Sequence, residues 1–334
     1  MTWGLVGAST IASQWMINAF RSVQADSVTW LVSGNLDRAK AYAADHAIPN
    51  VTADLDEMLA DPRVTRVYIS STNEKHYPQA MAAIAAGKHV FCEKPLAMSV
   101  ADAAEMVRAA RDRGVVFATN HHLRNAGAHL EVKRLIDAGR IGAIQSIRIF
   151  HAVSLPEALR GWRIDNAAAG GGVILDIVVH DADTVRFHTG EDPVAAVAIA
   201  DATGLGQGVE DSVMTAWEMP SGAMVQVHAS FNHQFTETGI EIYGSKGAIK
   251  GRGIMTQRPV GSLELIDADG RHDIAFSDHN LYARAAALFD GAVKGTGDPA
   301  ASGQDGVKSL AIALAVIEAA KTGRKVTIDY GGAD

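Results

Sequence analysis

Short apolar runs alternate with amphipathic stretches over the first third of the chain. Residues 3–6, 28–32, 67–70, 89–91 and 115–118 read as strands, and residues 11–23, 37–46, 77–86 and 101–113 carry helical spacing between them. That alternation predicts βαβ units and a parallel sheet. The strand runs are brief and not strictly alternating, as expected when helices cover both faces of the sheet. Beyond residue 122 the texture changes. After a predicted helix at 128–138 come alternating runs such as "IQSIRIFHAV", "DSVMTAWEMP", "AMVQVHASFN" and "GIEIYGSKGAIKG", separated by Pro/Gly turns of the Pro220-Ser221-Gly222 kind. These are antiparallel strands. A strong helix is expected over 173–187, and two late ones over 281–293 and 306–322. The pattern predicts an α/β domain over residues 1–122 and an α+β domain over 123–334, the latter built on an open, predominantly antiparallel sheet.

Length and composition narrow the function classes. A chain of 334 residues exceeds what one core usually supports, which agrees with two domains. A net charge of -8 argues against nucleic acid or an anionic membrane as the main partner. The single cysteine, Cys92, excludes an internal disulfide and a cysteine-built metal site, and it reads as a small buried residue rather than a nucleophile. No apolar run approaches the ~20 residues that span a bilayer. Residues 3–6 read as a strand rather than the core of a secretory signal, so a cytoplasmic protein is expected.

The stretch "GLVGASTIA" lies between the first strand and the first helix and nearly matches the dinucleotide fingerprint G-x-G-x-x-G/A. Gly7 supplies the tight turn and Ala12 the close helix–strand contact. Ser9 stands where the middle glycine belongs. Ser9 and Thr10 offer hydroxyls and backbone N–H groups at a helix N-terminus, where an anion is favoured. An ordinary βα turn in a non-nucleotide fold is the alternative. The end of the second strand decides which nucleotide is expected. NAD sites usually place a carboxylate there for the ribose 2′-OH. Here the segment is "LVSGNLDR": Ser33 and Gly34 at the strand end and Arg38 in the following helix, with Asp37 expected as that helix's N-cap. A serine hydroxyl and a guanidinium suit a 2′-phosphate, which predicts NADP(H) over NAD(H). The alternative leaves Arg38 as a solvated helix residue.

Ligands of such a sheet bind beyond the carboxyl ends of its strands. Three segments fall there: "SSTNEKH" (70–76), "CEKPLAM" (92–98) and "TNHHLRN" (119–125). Residues Thr72 to His76 are placed to line a nucleotide. Lys94, held by Pro95 and following a buried strand, can polarise a carbonyl, although a surface lysine is the common alternative. In "GGGVILDIVVHDADTVRF", Asp176 and His180 are four apart on one helix face. Near a nicotinamide they can bind substrate hydroxyls and move a proton to a ketone oxygen. They could also begin a metal site, but no third ligand accompanies them; or they could be structural polar residues. His121, His122 and His151 are weaker candidates, and His151 could simply face one side of the sheet.

With these segments in view, "GLVGASTIA", "EKPLAMS", "GRIGAI", "GWR" and "AGGGVILDIVVHDADTVRF" make the chain similar, over essentially its whole length, to the glucose–fructose oxidoreductase / inositol dehydrogenase family. EKP and a downstream D-x-x-x-H in this order are far more specific than either motif alone. The resemblance implies a Rossmann domain, an open-sheet domain and NADP(H) as cofactor. Gly7, Ser9, Thr10, Ile11 and Ala12 would line the diphosphate turn, and Ser33, Gly34 and Arg38 the 2′-phosphate. Further cofactor contacts would come from Ser71, Thr72, Asn73, His76, Glu93, Lys94, Asn120, Trp162 and Arg163. It implies Lys94, His180 and Asp176 as catalytic residues, the same three with Tyr282 against substrate, and no metal. Ser9 departs from the general fingerprint and weighs against NAD. The activity implied is reduction of a cyclic sugar ketone by hydride transfer. Another NAD(P)-dependent sugar, inositol or dihydrodiol dehydrogenase is the alternative, and a non-catalytic NADP-binding regulator is the alternative from a different class. The expected partner is a small-molecule sugar, with neither nucleic acid nor membrane. The open sheet needs a cover, so the protein is expected as a monomer with helices over it or as a homodimer.

Overall fold

The apolar runs of the N-terminal third become six parallel strands in the computed structural model, which describes residues 1–25 and 27–332. These are β1 (Thr2–Val6), β2 (Val28–Val32), β3 (Asn50–Thr52), β4 (Val64–Ile69), β5 (His89–Cys92) and β6 (Phe117–Thr119), ordered β3-β2-β1-β4-β5-β6. The order reverses between β1 and β4, the kind of switch point at which open α/β sheets take ligands. Between the strands run α1 (Ile17–Val23), α2 (Leu36–Asp45), α3 (Leu55–Ala60), α4 (Asn73–Ala85) and α5 (Val100–Arg113). Local chemistry sets their starts. The side chains of Asn35, Asp54 and Ser99 accept from the N–H groups of Arg38, Asp56 and Asp102. Asn35 therefore caps α2, and the expectation that Asp37 does so is corrected: Asp37 lies inside the first turn, exposed. Neither β3 nor α3 is expected from the pattern, because three and six residues are too few to show a period.

Chain contacts group Met1–His121 with Tyr282–Val307 as one compact unit and His122–Leu281 with Lys308–Gly332 as the other. The return of α9 (Leu281–Val293) to the first unit has no signature in the alternation of elements. Its anchor is visible, however. Trp3 stacks on Phe20 at 3.8 Å between ring centroids and tilts onto Phe289 at 5.2 Å, and Phe91 stacks on Phe289 at 5.2 Å. Buried Arg66 on β4 pairs with Asp290 beside that aromatic cluster.

The second unit holds α6 (Gly127–Asp137), the short α7 (Trp162–Asp165), α8 (Val179–Thr189) and a nine-stranded sheet. Its strands are β7 (Ile144–Ala152), β8 (Ala195–Asp201), β9 (Ser212–Glu218), β10 (Met224–Ser230), β11 (Gly239–Gly244), β12 (Gly247–Arg252), β13 (Ser262–Asp267), β14 (Gly270–Ile274) and β15 (Val326–Thr327). They run in the order β14-β13-β12-β11-β7-β10-β9-β8-β15. Every pairing is antiparallel except β7 with β10, so the sheet is predominantly antiparallel. Period-2 burial sorts β9: Val213, Thr215 and Trp217 point inward, whereas Met214 and Glu218 are exposed. α8 packs against β7 and α6. Among the described residues no helix is long and apolar enough to cross a membrane.

Candidate active site

In the first unit the candidate residues gather at the carboxyl ends of the parallel strands. β1 is followed by Gly7, whose φ of +106° and contact with the chain just past the end of β4 both require glycine. A Cβ there would lie 2.9 Å from the Ser70 carbonyl and the Ser71 nitrogen. Ser9 turns its hydroxyl inward: Oγ donates to Ser70 Oγ (2.7 Å) and accepts from the N–H of Ala12 (3.2 Å). Substitution of the middle glycine thus ties the turn to β4 and caps the buried Ala12. Thr10 is exposed and Ile11 half-buried at the same turn. Arg38, reaching back from α2, donates to the Ala8 carbonyl at 2.6 Å, and the Tyr42 hydroxyl donates to the Ser9 carbonyl at 2.9 Å. The Arg38 guanidinium is therefore fixed beside the turn, with Ser33 half-buried and Gly34 exposed at the end of β2.

The second group follows β4, β5 and β6. Thr72 Oγ1 donates to Glu74 in the first turn of α4 and Ser71 Oγ to Gln79 farther along it, and Asn73, the helix's first residue, is buried. His76 is fully buried, with Nδ1 2.7 Å from the Pro95 carbonyl and Nε2 3.2 Å from the Ser71 carbonyl. The ring so ties the loop after β4 to the loop carrying Lys94, whose bond to Pro95 is cis. Burial pushes the His76 imidazole below its ordinary pKa, against the pull of the two carbonyls. Beside Lys94, the Glu93 carboxylate accepts from the Tyr68 hydroxyl (2.5 Å) and the Asn120 amide nitrogen (2.6 Å). Burial raises its pKa, while those two donors and the Lys94 charge pull it back. Cys92 is wholly buried, and burial pushes its thiol well up, so it is inert. Tyr282 is fully buried, its ring stacked on Trp15 at 5.4 Å. Several buried polar atoms of this unit have no hydrogen-bond partner among the described residues, Asn120 Oδ1 and Trp15 Nε1 among them. A closed glycine turn with N–H groups at a helix start, together with an orphaned donor and acceptor at the turn and the end of β6, fits a nicotinamide dinucleotide.

In the second unit, Asp176 lies in the wide turn Ile174–Val178 and His180 in the first turn of α8, both on one helix. The run of glycines before them is steric. Gly172 has φ +112°, and its Cβ would come 2.3 Å from Glu210 Oε1. That closeness lets Glu210 receive the helix start: its carbonyl accepts from Val173 N–H (3.0 Å) and its carboxylate from Ile174 N–H (3.2 Å). The Arg163 guanidinium sits over the Trp162 ring at 4.7 Å with Nε 3.6 Å from Asp176 Oδ1, so these three residues form one group. His180 is 8% exposed, and the ring of His122 meets its ring edge-on at 4.5 Å between centroids. His122 is thus closer to the candidate chemistry than its sequence reading conveyed. His151 is instead paired with the wholly buried Asp181, Nδ1 to Oδ1 at 2.7 Å. His129 and His188 form a separate buried pair at 3.0 Å. Among the described residues, no three His, Cys, Asp or Glu side chains are grouped to hold a metal.

Comparison with known proteins follows the same division. Residues 1–121 match a family described as an oxidoreductase family with an NAD-binding Rossmann fold, and residues 129–250 match the GFO/IDH/MocA C-terminal domain. The chain is 50% identical to the 1,5-anhydro-D-fructose reductase of Ensifer adhaerens, covering 98% of this chain and 99% of the relative. It is 29% identical to the inositol 2-dehydrogenase of Rhizobium meliloti, over 89% of this chain and 94% of the relative. Among solved structures, the aldose–aldose oxidoreductase of Caulobacter crescentus in complex with glycerol superposes with a TM-score of 0.89. There the identity is 25%, with 98% of this chain and 99% of that one covered.

Proposed function

This chain belongs to the GFO/IDH/MocA family of oxidoreductases, and on that premise we propose that it reduces 1,5-anhydro-D-fructose to 1,5-anhydro-D-mannitol with NADPH. The observation that carries this reading is the 50% identity to a reductase of that sugar over 98% of the chain, in a sequence that retains Lys94, Asp176 and His180.

NADPH, when bound, supplies the hydride for the C2 carbonyl carbon. The chain's own residues manage the oxygen and the proton. In this reading protonated His180 gives its proton to the C2 oxygen as negative charge develops there, completing a secondary alcohol, and the Lys94 ammonium stabilises that oxygen and orients the sugar. Asp176 accepts from sugar hydroxyls, held by Arg163. Holding the reactants in contact supplies much of the acceleration. The first-unit residues Gly7, Ser9, Thr10, Ile11 and Ala12 receive the diphosphate, and Ser71, Thr72, Asn73, Glu93 and Asn120 continue the cofactor groove, which His76 braces from beneath. NADP(H) rather than NAD(H) is favoured because Arg38 is fixed beside the phosphate turn by its bond to Ala8, while the end of β2 presents Ser33 and no carboxylate. Trp162 and Arg163 of the second unit complete the cofactor contacts, and Tyr282 stands against the sugar. The reading takes the enzyme to be cytoplasmic.

The test is NADPH consumption against a panel of 1,5-anhydro-D-fructose, fructose and inosose, with His180→Ala beside the wild type. Turnover of the anhydro sugar above the other ketones is expected, with kcat lowered roughly a hundredfold in the variant, the usual scale for a general acid. A variant with near-normal kcat would remove His180 from this role. Faster turnover of inosose would move the substrate to the inositols.

A further inference from the structure

Three carboxylates stand on the helix that carries His180, and their partners are unequal. Asp176, in the wide turn, lies 3.6 Å from the Arg163 guanidinium. Asp183 pairs with Arg124 at 2.7 Å and lies 3.9 Å from Arg186. Asp181, the residue after His180, is 0% exposed, and its partner among the described residues is a histidine: His151 Nδ1 lies 2.7 Å from Oδ1. The second oxygen, Oδ2, is buried with no hydrogen bond among the described residues. A guanidinium is always charged and cancels the carboxylate it meets, whereas an imidazole has a neutral form. A carboxylate only accepts, so His151 Nδ1 carries the hydrogen, and the neutral ring satisfies the contact. Burial pushes the Asp181 carboxyl up, and His151 pulls it back. Of the three, Asp181 is the one that no guanidinium meets among the described residues.

We propose that Asp181 is a positioning residue for the reaction: its buried carboxylate keeps the adjacent His180 protonated, and His151 holds it ionised by donating to it without cancelling its charge. The inference rests on the reading of His180 as proton donor and adds what keeps that imidazole charged. His180 is 8% exposed, and burial by itself disfavours an imidazolium. The other groups around the helix do not offset that cost. The turn His122–Asn125 brings His122, whose own protonation would oppose that of His180, and Arg124, which Asp183 engages. α6 brings His129 and Lys133, which act on His188 at the far end of α8. Arg186 is held by Asp192 at 2.6 Å. Glu210 accepts from the Ile174 N–H at the helix start. β7 turns His151 inward, and β10 buries the apolar Val225, Val227 and Ala229. Consecutive residues are ~3.8 Å apart at Cα, so the Asp181 charge lies within about a helical turn of the His180 ring. At that range, with an effective dielectric of about 20, an uncancelled charge moves an imidazole by about one pH unit or more.

The experiment is a pH titration of the His180 ring by NMR in the whole protein without substrate, with His180→Gln assigning the resonance. Asp181→Asn keeps the shape and removes the charge, and should lower the His180 midpoint by about one pH unit. His151→Gln keeps a donor to Asp181 and should leave the midpoint in place. His151→Phe takes the donor away, so the buried carboxyl is neutralised and the midpoint should fall as in Asp181→Asn. A link between β7 and α8 that was merely structural would be loosened by both His151 variants alike. Equal midpoints in His151→Gln and His151→Phe, or an unchanged midpoint in Asp181→Asn, would overturn the inference; the His151 pair decides it even if Asp181→Asn does not fold. The alkaline limb of the kcat profile with NADPH should move with the midpoint. A limb that stays while the midpoint moves would overturn instead the reading of His180 as proton donor.

Discussion

Asp211 is the hub of the loop between β8 and β9, and its removal offers a quantitative test of how the Asp176–His180 helix is held. The carboxylate is 0% exposed and accepts four hydrogen bonds: from Thr203 N–H and Thr203 Oγ1 on one oxygen (2.8 and 3.0 Å), and from Gly204 and Gly206 N–H on the other (2.8 and 2.7 Å). Burial pushes this carboxyl up, but the donors outweigh it and hold the group at about 2 against an ordinary 3.8. That gap, at ~1.36 kcal/mol per pH unit, makes the ionised form worth about 2 kcal/mol to the folded loop. The neutral isostere introduced by Asp211→Asn forfeits that stabilisation and sets an NH2 against N–H groups. The neighbouring residue, Glu210, receives the N–H groups of Val173 and Ile174, and Gln207 N–H donates to the Ile164 carbonyl at 2.6 Å. Loosening the loop therefore loosens the start of the helix that carries Asp176.

Native-state proteolysis reads the local opening directly, because cleavage follows the population of the open loop when closing is fast. A loss of about 2 kcal/mol should raise the rate of cutting at Leu205 roughly 30-fold in Asp211→Asn. The pH dependence separates this carboxyl from any group that titrates near neutrality. A carboxyl depressed in the fold contributes stability above its unfolded pKa and loses it only as pH falls from about 3.8 toward 2. The ratio of variant to wild-type rates should therefore stay flat from about pH 8 to 5. A rate within twofold of wild type would refute the reasoning, and a ratio that closes between about pH 8 and 5 would assign the effect to another group.

Three further outcomes follow from other parts of the fold. Ser33→Asp combined with Arg38→Ala should lower kcat/KM for NADPH by about tenfold or more and raise it for NADH, read from steady-state kinetics with both cofactors; unchanged preference would detach Arg38 from the 2′-phosphate. Arg66→Met should strand the Asp290 carboxylate, still held at 2.6 Å by exposed Lys294, and cost about 3 kcal/mol in urea unfolding, whereas an unchanged midpoint would show the pair to be worth nothing net. Burial holds the His129 imidazole at about 4 against an ordinary 6.5, so the unfolded chain takes up a proton that the fold refuses. Stability should fall by about 2 kcal/mol between about pH 7 and 5, and His129→Gln should flatten that slope; a slope unaffected by the variant would locate the titration elsewhere.

The parts of this protein legible in its sequence are those written in short-range periodicity. Alternation placed the strands on either side of the change near residue 122, and "GLVGASTIA" announced a tight turn in which a strand, a glycine and a helix follow one another. Three things were not legible, each for a physical reason. The parallel contact of β7 with β10 joins neighbouring strands of the sheet that lie about seventy residues apart in the chain, and apolar alternation carries no direction. The cap of α2 falls on Asn35 rather than Asp37 because the helix begins at Leu36, which is 40% exposed and so lies outside any apolar stripe. The ring contact of His122 with His180 and the pairing of His151 with Asp181 are made across the fold. Single histidines offer no spacing from which such contacts could be read.

The D-x-x-x-H spacing itself gains its meaning from a backbone detail. Ile17 N–H bonds to Ala12 O, and Val179 N–H bonds to Ile174 O, five residues back in each case, so the helix after the Gly7 turn and the helix of Asp176 both open with a widened turn. Such turns recur at functional sites. In a regular helix of 3.6 residues per turn, side chains four apart are offset by about 40° around the axis. A wider turn lessens the rotation per residue, bringing Asp176 and His180 closer to one line along the helix. It also leaves N–H groups at the helix start for Glu210 to receive, which is why Gly172 must lack a Cβ. The alignment is thus a property of the backbone register from Gly172 to Val179 as much as of the two side chains. A substitution that let the turn relax to ordinary α-bonding would rotate Asp176 away from His180 while leaving both residues in the sequence.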